Sequence, residues 1–456
     1  MIELSSERIV EAAGASVAVK GRDGRPERAA IDSREVRPGD LFVGLSGERA
    51  DGGEFAADAL AAGAWGVLVD PARARLLAAE GEAQGDGWVL SADQPLAALQ
   101  SVATAWRREL GCPVVGITGS VGKTSVKDIC RAILPLRVHA SRENFNTEIG
   151  LPLAICEAPA ETEALVLEMA MRGRGQIAEL CRIAEPDLGA ITNIGPVHLE
   201  LLGTMDAIAE AKAEILGGLR ERGRAVIPAD EEALEPHLQE SVVTITFGPG
   251  GDVFCRSYES DGRSIDAAIG TPDGEEAFRF PFGELHNLQN ALAAIAIGIA
   301  LEVPLPEMSR RAPGITFSRL RGELIELPGE IVLVNDCYNA NPVSMRAALD
   351  HLASLGRSER RVAVLGEMLE LGADAAQYHR EVGARARRLG IGPILGVGEL
   401  GRDYAPDAWA PDAGSAIPLA EAMVEPGDAV LIKGSRGVGL ELVTDELVAH
   451  RGTAGE

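Results

Sequence analysis

The sequence predicts an α/β protein of three domains: a small N-terminal α/β domain over residues 1–110, a central parallel-sheet domain over 111–314 and a C-terminal Rossmann-like domain over 315–456. Length is the first reason, since 456 residues is about three times a typical domain of roughly 150. Alternation is the second: short aliphatic runs bounded by turn residues are separated by helix-period segments, as in parallel strands covered by helices. Spacing is the third, because four such runs in the last third of the chain lie roughly 31 to 36 residues apart, the length of successive βαβ units.

Along the chain, runs at 41–45 and 67–69 mark strands of the N-terminal domain, and the Gly/Glu/Ala-rich stretch 78–87 reads as a loop. Runs at 114–118, 165–168, 189–193, 225–227 and 244–247 mark central strands, with helical patterns at 123–134, 175–183 and 207–219. Runs at 331–335, 362–365, 394–397 and 429–432 mark the C-terminal strands. The sequence contains no repeat of fixed period and no long low-complexity segment.

Composition excludes several function classes. With 46% hydrophobic and 25% charged residues the chain is globular in type, and with 4% aromatics its core is aliphatic. A net charge of −26 opposes a broad electrostatic grip on nucleic acid or anionic lipid. The first fifteen residues carry Glu3, Glu7 and Glu11 and no apolar signal core. The longest apolar run, 291–301, has eleven residues, against about 20 for a bilayer span. A cytoplasmic protein without membrane insertion is expected. Six cysteines without CxxC spacing predict buried free thiols rather than a zinc site or disulfides. Only five of 43 cations are lysine (Lys20, Lys123, Lys127, Lys212 and Lys433), so each is a candidate for a place where a primary amine matters.

The strongest motif is Val114-Val115-Gly116-Ile117-Thr118-Gly119-Ser120-Val121-Gly122-Lys123-Thr124-Ser125, an apolar strand running through a glycine-rich turn into a helix. Such a turn aims backbone N–H groups at phosphate oxygens, and the helix N-terminus adds partial positive charge. Thr118 to Ser125 are therefore the nucleotide-binding candidates, with Lys123 reaching the β- and γ-phosphates and the Thr124 hydroxyl on Mg²⁺. Ile117 stands where the common pattern has its first glycine, which marks a subclass of the P-loop ATPase type.

In an open parallel sheet, ligands bind beyond the carboxyl ends of the strands. Glu168 closes one such strand and is a candidate Mg²⁺ ligand, a solvated loop acid being the alternative. His198 follows the next strand end on the same sheet edge, which favours a functional over a structural histidine. Lys212 lies on a helix whose apolar stripe is Ile208, Ile215 and Leu219, and periodicity alone reads it as a surface lysine between Glu210 and Glu214.

Together, the 119–124 loop, Glu168-Met169, Thr192-Asn193-Ile194 with His198, Ala211-Lys212, and His286-Asn287 with Asn290 resemble the ATP-dependent Mur ligases of peptidoglycan synthesis. The resemblance extends from Asp32-Ser33-Arg34 and 38–42 to 335–342 and Lys433-Gly434-Ser435-Arg436. Within the family, the stretches 168–172, 335–342 and 433–436 are most similar to the member that adds D-alanyl-D-alanine to UDP-N-acetylmuramoyl-tripeptide. The Asp-Asn-Pro-Arg tetrapeptide frequent in the preceding, diaminopimelate-adding ligase is missing. Ala170 stands where glycine is usual, and Gly53 where histidine is frequent.

The resemblance implies ATP and two Mg²⁺ ions in the central domain, the UDP end of the substrate on the N-terminal domain, and a C-terminal domain that closes over the nucleotide. It implies that Ser33 and Arg34 contact the uridine diphosphate, and that Asn146 and Thr147 contact substrate. It further implies Asn290 on adenine, Asp336 on ribose and Arg321 on phosphates. Lys123, His198 and Lys212 become the catalytic candidates, and Thr124, Glu168, His198 and a carbamylated Lys212 the metal set. A monomer is expected. Two other readings stay open: a sibling ligase, either the one adding the third amino acid or folylpolyglutamate synthase, and a nucleotide-switched binding protein. A switch needs neither an amine acceptor nor a UDP-binding domain, and folate ligases generally lack the Asp-Ser-Arg domain.

Overall fold

The computed structural model describes residues 4–47, 50–80, 86–142, 144–356 and 360–452. Its first sheet has five strands in the order Ser16–Val19, Trp88–Ser91, Gly66–Val69, Leu41–Val43, Ala29–Ala30. All neighbours are parallel except the Ser16–Val19 edge. Part of the expected 78–87 loop is helical: Ala78 and Ala79 belong to the helix Pro71–Glu80, while residues 81–85 lie outside the described ones.

The second sheet is entirely parallel, in the order Val243–Phe247, Arg224–Pro228, Leu188–Ile191, Val114–Thr118, Ala164–Glu168, Val138–Ala140. Its central strands are buried on both faces, which is why they read as continuous apolar runs. One face is covered by Lys123–Ile133 and Leu285–Ala300, the latter buried along nearly its whole length. The apolar run 291–301 is thus a core helix, and no helix among the described residues is long and apolar enough to cross a membrane.

A three-stranded antiparallel sheet, Phe254–Ser260, Ile265–Thr271 and Gly274–Phe280, was not expected. Its strands alternate: Ile265, Ala267, Ile269, Phe278 and Phe280 join the central core, while the outer face carries Asp266, Glu275 and Arg279. With so many charges on one side, no continuous apolar run announces it.

The fourth sheet orders Glu323–Leu327, Ile331–Asn335, Asp428–Lys433, Arg360–Gly366, Ile394–Val397 and Ala408–Ala410, parallel except for the first hairpin. Helices Pro342–Ser354, Ala375–Arg388, Ala413–Met423 and Glu441–Gly452 cover it. Five cysteines are buried, as expected; Cys255 is a correction, half-buried on the edge strand of the small antiparallel sheet.

Candidate active site

Strand order assembles the site. Val114–Thr118 lies between Ala164–Glu168 and Leu188–Ile191, with Ile117 level with Glu168 and Thr118 level with Ile191. The phosphate loop, the turn after Glu168 and the 192–198 turn therefore leave the sheet side by side.

Thr192 and Asn193, expected within a strand, instead brace the loop. Asn193 Oδ1 accepts from the amides of Ser120 (3.1 Å) and Val121 (3.0 Å), and the Thr192 hydroxyl donates to the Val121 carbonyl. This bracing demands the two glycines. A Cβ on Gly119 (φ +145°) would lie 1.9 Å from Thr192 Oγ1, and one on Gly122 (φ +86°) 2.3 Å from Asn290 Oδ1. Asn290 thus packs directly over the loop, its amide donating to Asn287 Oδ1 at 2.9 Å. Beyond Gly122 the helix Lys123–Ile133 presents its first-turn amides, including those of Thr124 and Ser125, an arrangement that attracts anions. Among the described residues the buried Thr118 hydroxyl has no hydrogen-bond partner.

Lys123 Nζ lies back across the loop, donating to the Gly119 carbonyl at 2.7 Å. Burial, opposed by Glu168 and reinforced by Arg321, lowers its pKa to about 8. Thr124 Oγ1 donates to Glu168 Oε2 at 3.1 Å and accepts from Arg321 at 3.0 Å. The Arg321 guanidinium stacks 3.8 Å from the centre of the Tyr338 ring, whose hydroxyl donates to the Asn144 side-chain oxygen. These contacts join the segment entering the fourth sheet to the phosphate loop.

Two further groups, Lys212 and His198, lie near Lys123 and each other. Lys212 is a correction to its helix periodicity: it is 2% exposed and, among the described residues, meets no hydrogen-bond or ion-pair partner. Burial and the nearby Lys123 hold its pKa well below the ordinary lysine value. His198 adopts φ 55° and its Nδ1 meets Glu370 Oε2 at 2.7 Å. Burial, opposed by Glu370 and reinforced by Lys212 and Lys123, lowers its pKa.

The remaining candidates lie further out. Asp336 accepts from Lys433 Nζ at 2.6 Å at the edge of the fourth sheet. The Asn146 carbonyl accepts from the Ala170 amide at 2.9 Å, so that stretch borders the Glu168 strand end. The Thr147 hydroxyl instead accepts from the Gly150 amide at 3.4 Å, at the start of the helix Gly150–Cys156. Ser33 and Arg34 sit on the first domain. Arg34 is paired with Asp32, whose carboxyl its hydrogen bonds pull down to about 2.

Glu370 was missed, and Lys127 and Asn193, though singled out in the sequence, were given no role in the site. Scarcity of lysine was the available signal for Lys127, since Lys20 alone of the five lysines is exposed. Asn193 and Glu370 act through contacts distant in sequence, which no local pattern reveals.

Three family models tile the chain: the Mur ligase family catalytic domain matches residues 28–101, the Mur ligase middle domain 117–298, and the Mur ligase glutamate ligase domain 320–436. The chain belongs to the Mur ligase family. Among curated relatives of this Mur ligase, UDP-N-acetylmuramoyl-tripeptide--D-alanyl-D-alanine ligase of Bacillus subtilis (strain 168) is 38% identical, over 92% of each chain. The protein of that name from Escherichia coli (strain K12) is 30% identical, over 94% of this chain and 95% of its own. A crystal structure of MurF from Acinetobacter baumannii superposes with a TM-score of 0.86 at 28% identity, covering 98% of both chains. MurF of Thermotoga maritima, solved in complex with ADP, gives 0.81 at 28% identity, covering 94% of this Mur ligase and 98% of that chain.

Proposed function

We propose that this Mur ligase joins D-alanyl-D-alanine to UDP-N-acetylmuramoyl-tripeptide in the cytoplasm, with ATP cleaved to ADP and phosphate. The observation that carries the reading is the end-to-end likeness to ligases of that name, which includes the C-terminal domain as well as the nucleotide-binding centre.

A carboxylate is a poor electrophile, and ATP removes that obstacle. The tripeptide carboxylate oxygen attacks the γ-phosphorus, the bond to the ADP oxygen breaks, and an acyl phosphate forms. The unprotonated amine of D-alanyl-D-alanine then attacks the acyl carbon, and the tetrahedral adduct collapses to amide and phosphate. Lys123, released from the Gly119 carbonyl, offsets charge on the transferring phosphoryl oxygens; Arg321 approaches the same oxygens from the linker side. Asn290 packs over the loop where the base would stack, and Asp336 with Lys433 borders the ribose side. Closing the domains excludes water that would otherwise hydrolyse the acyl phosphate.

Thr124 and Glu168 fit one Mg²⁺ ion beside the phosphate loop, whereas a second ion beside His198 fits if Lys212 changes its chemistry. Among the described residues no group of three His, Cys, Asp or Glu could hold a metal, but a buried amine without a partner lies near His198. Carbamylation answers this: the neutral Nζ attacks CO₂, one N–H proton passes to solvent, and an anionic carbamate stands where the amine was. Thr124, Glu168, His198 and carbamylated Lys212 would then hold two Mg²⁺ ions, which neutralise phosphate charge when bound.

The test supplies ATP, Mg²⁺ and UDP-N-acetylmuramoyl-tripeptide with one acceptor at a time and identifies products by mass. A pentapeptide product with D-alanyl-D-alanine, and none with free lysine or diaminopimelate, is expected. Extension of the dipeptide precursor by a single amino acid would reassign the chain to the preceding ligase.

A further inference from the structure

Resting on the ligase reading, we infer that Glu370 is a positioning residue which the C-terminal domain supplies to His198. Glu370 lies in the loop after Arg360–Gly366, on the fourth sheet, whereas His198 leaves the second sheet, so their 2.7 Å contact crosses the domain interface. The other carboxylate oxygen of Glu370 lies 3.7 Å from Arg172 Nε, at the end of the 168–172 stretch whose arginine has no other part in the site. One carboxylate thus engages both segments that leave the central sheet beside the phosphate loop.

The loop that carries Glu370 is fixed to its own domain. The Met368 amide donates to His379 Nε2 at 3.0 Å, and the Leu369 amide donates to Ser435 Oγ at 3.0 Å. Ser435 belongs to the Lys-Gly-Ser-Arg stretch, which gains a structural purpose here. Glu370 and His198 both hold left-handed backbone, at φ 62° and 55°, a conformation costly for residues with a Cβ and kept where surrounding contacts require it. At Gly372 the loop runs so close to the central domain that an added Cβ would lie 3.4 Å from Glu200 Cα.

The chemical consequence concerns the imidazole. With Glu370 accepting at Nδ1, the proton sits on Nδ1 and the Nε2 lone pair is left for a ligand, with the ring orientation fixed. A histidine on an isolated central domain would have neither constraint. Docking of the C-terminal domain therefore orients His198 as it closes the cleft.

Glu370 is 44% exposed at its side chain, so Glu370→Ala keeps the fold. The expected result is a kcat lower by about 10- to 100-fold with KM for the UDP substrate little changed. Glu370→Gln, whose amide oxygen accepts the same hydrogen bond, should keep most of the rate. The second readout needs neither metal nor nucleotide: ¹⁵N spectra of labelled histidine in the ligand-free protein should show the Nδ1–H tautomer at His198, lost in Glu370→Ala and kept in Glu370→Gln. Unchanged ring shifts in Glu370→Ala, or a Gln variant that falls as far as the Ala variant, would overturn the inference. Wild-type protein that ligates nothing would defeat the ligase reading instead, and the tautomer measurement would still judge Glu370.

Discussion

Lys127 Nζ lies 3.1 Å from Glu168 Oε1, and the two side chains are 4% and 2% exposed. The same ammonium donates to the Ser141 carbonyl at 3.0 Å and lies 3.6 Å from Asp128, whose carboxylate accepts from the Ser318 amide and hydroxyl. A buried ionic chain thus ties the linker to the C-terminal domain to the strand-end glutamate. Lys127→Met leaves a buried carboxylate unpaired and should lower unfolding free energy by about 3–5 kcal/mol, whereas Lys127→Met with Glu168→Gln should recover most of the loss. Urea unfolding of the three proteins checks this. A single variant as stable as wild type would remove the ion pair from the account.

Lys123 carries the opposite stability signature. Its folded pKa, about 8, lies below the ordinary 10.5, so folding penalises the ammonium. The penalty is fully present below about pH 8, fades between 8 and 10.5 and is gone above. At 1.36 kcal/mol per pH unit it amounts to at most about 3 kcal/mol. Lys123→Ala should therefore abolish ligation while leaving the ligand-free protein at least as stable as wild type at pH 7. Their difference should shrink as pH rises. A thermal melt series with and without ATP measures both; near-normal ligation by the folded variant would displace the phosphate loop from its role.

Lys212 tests the carbamate. CO₂ adds only to a neutral amine, and burial beside Lys123 holds the Lys212 pKa well below its usual value, so a larger share of the amine is neutral at a given pH than in a free lysine, and that share falls as pH falls. Lys212→Arg, which keeps a long basic side chain but forms no such carbamate, should lose nearly all activity, with part restored by formate or acetate. Wild type given ¹³C-bicarbonate should show a carbamate carbon signal that Lys212→Arg lacks. Full activity in the arginine variant would contradict the assignment.

The phosphate loop was legible because strand, glycines and helix N-terminus are contiguous, and each carries a local conformational requirement. Glu168 and His198 were legible at one remove, through the rule that parallel strands deliver ligands at their carboxyl ends. Lys212 was misread by periodicity because the helix Met205–Gly217 is covered on more than one side: Ala209, Ala211 and Ala213 are buried along with Ile208 and Ile215. A stripe computed for one buried face assigns such a residue to solvent. The Phe254–Phe280 sheet escaped because its inward residues alternate with charges, and Glu370 because its partner is 172 residues away.

The central claim is that ATP activates the substrate as an acyl phosphate. UDP-N-acetylmuramoyl-tripeptide labelled with ¹⁸O in the reacting carboxylate tests it directly. In the complete reaction one labelled oxygen should appear in phosphate for each amide formed, the other staying in the new amide, and no phosphate should accumulate without D-alanyl-D-alanine beyond slow hydrolysis. Amide product accompanied by unlabelled phosphate would contradict the account.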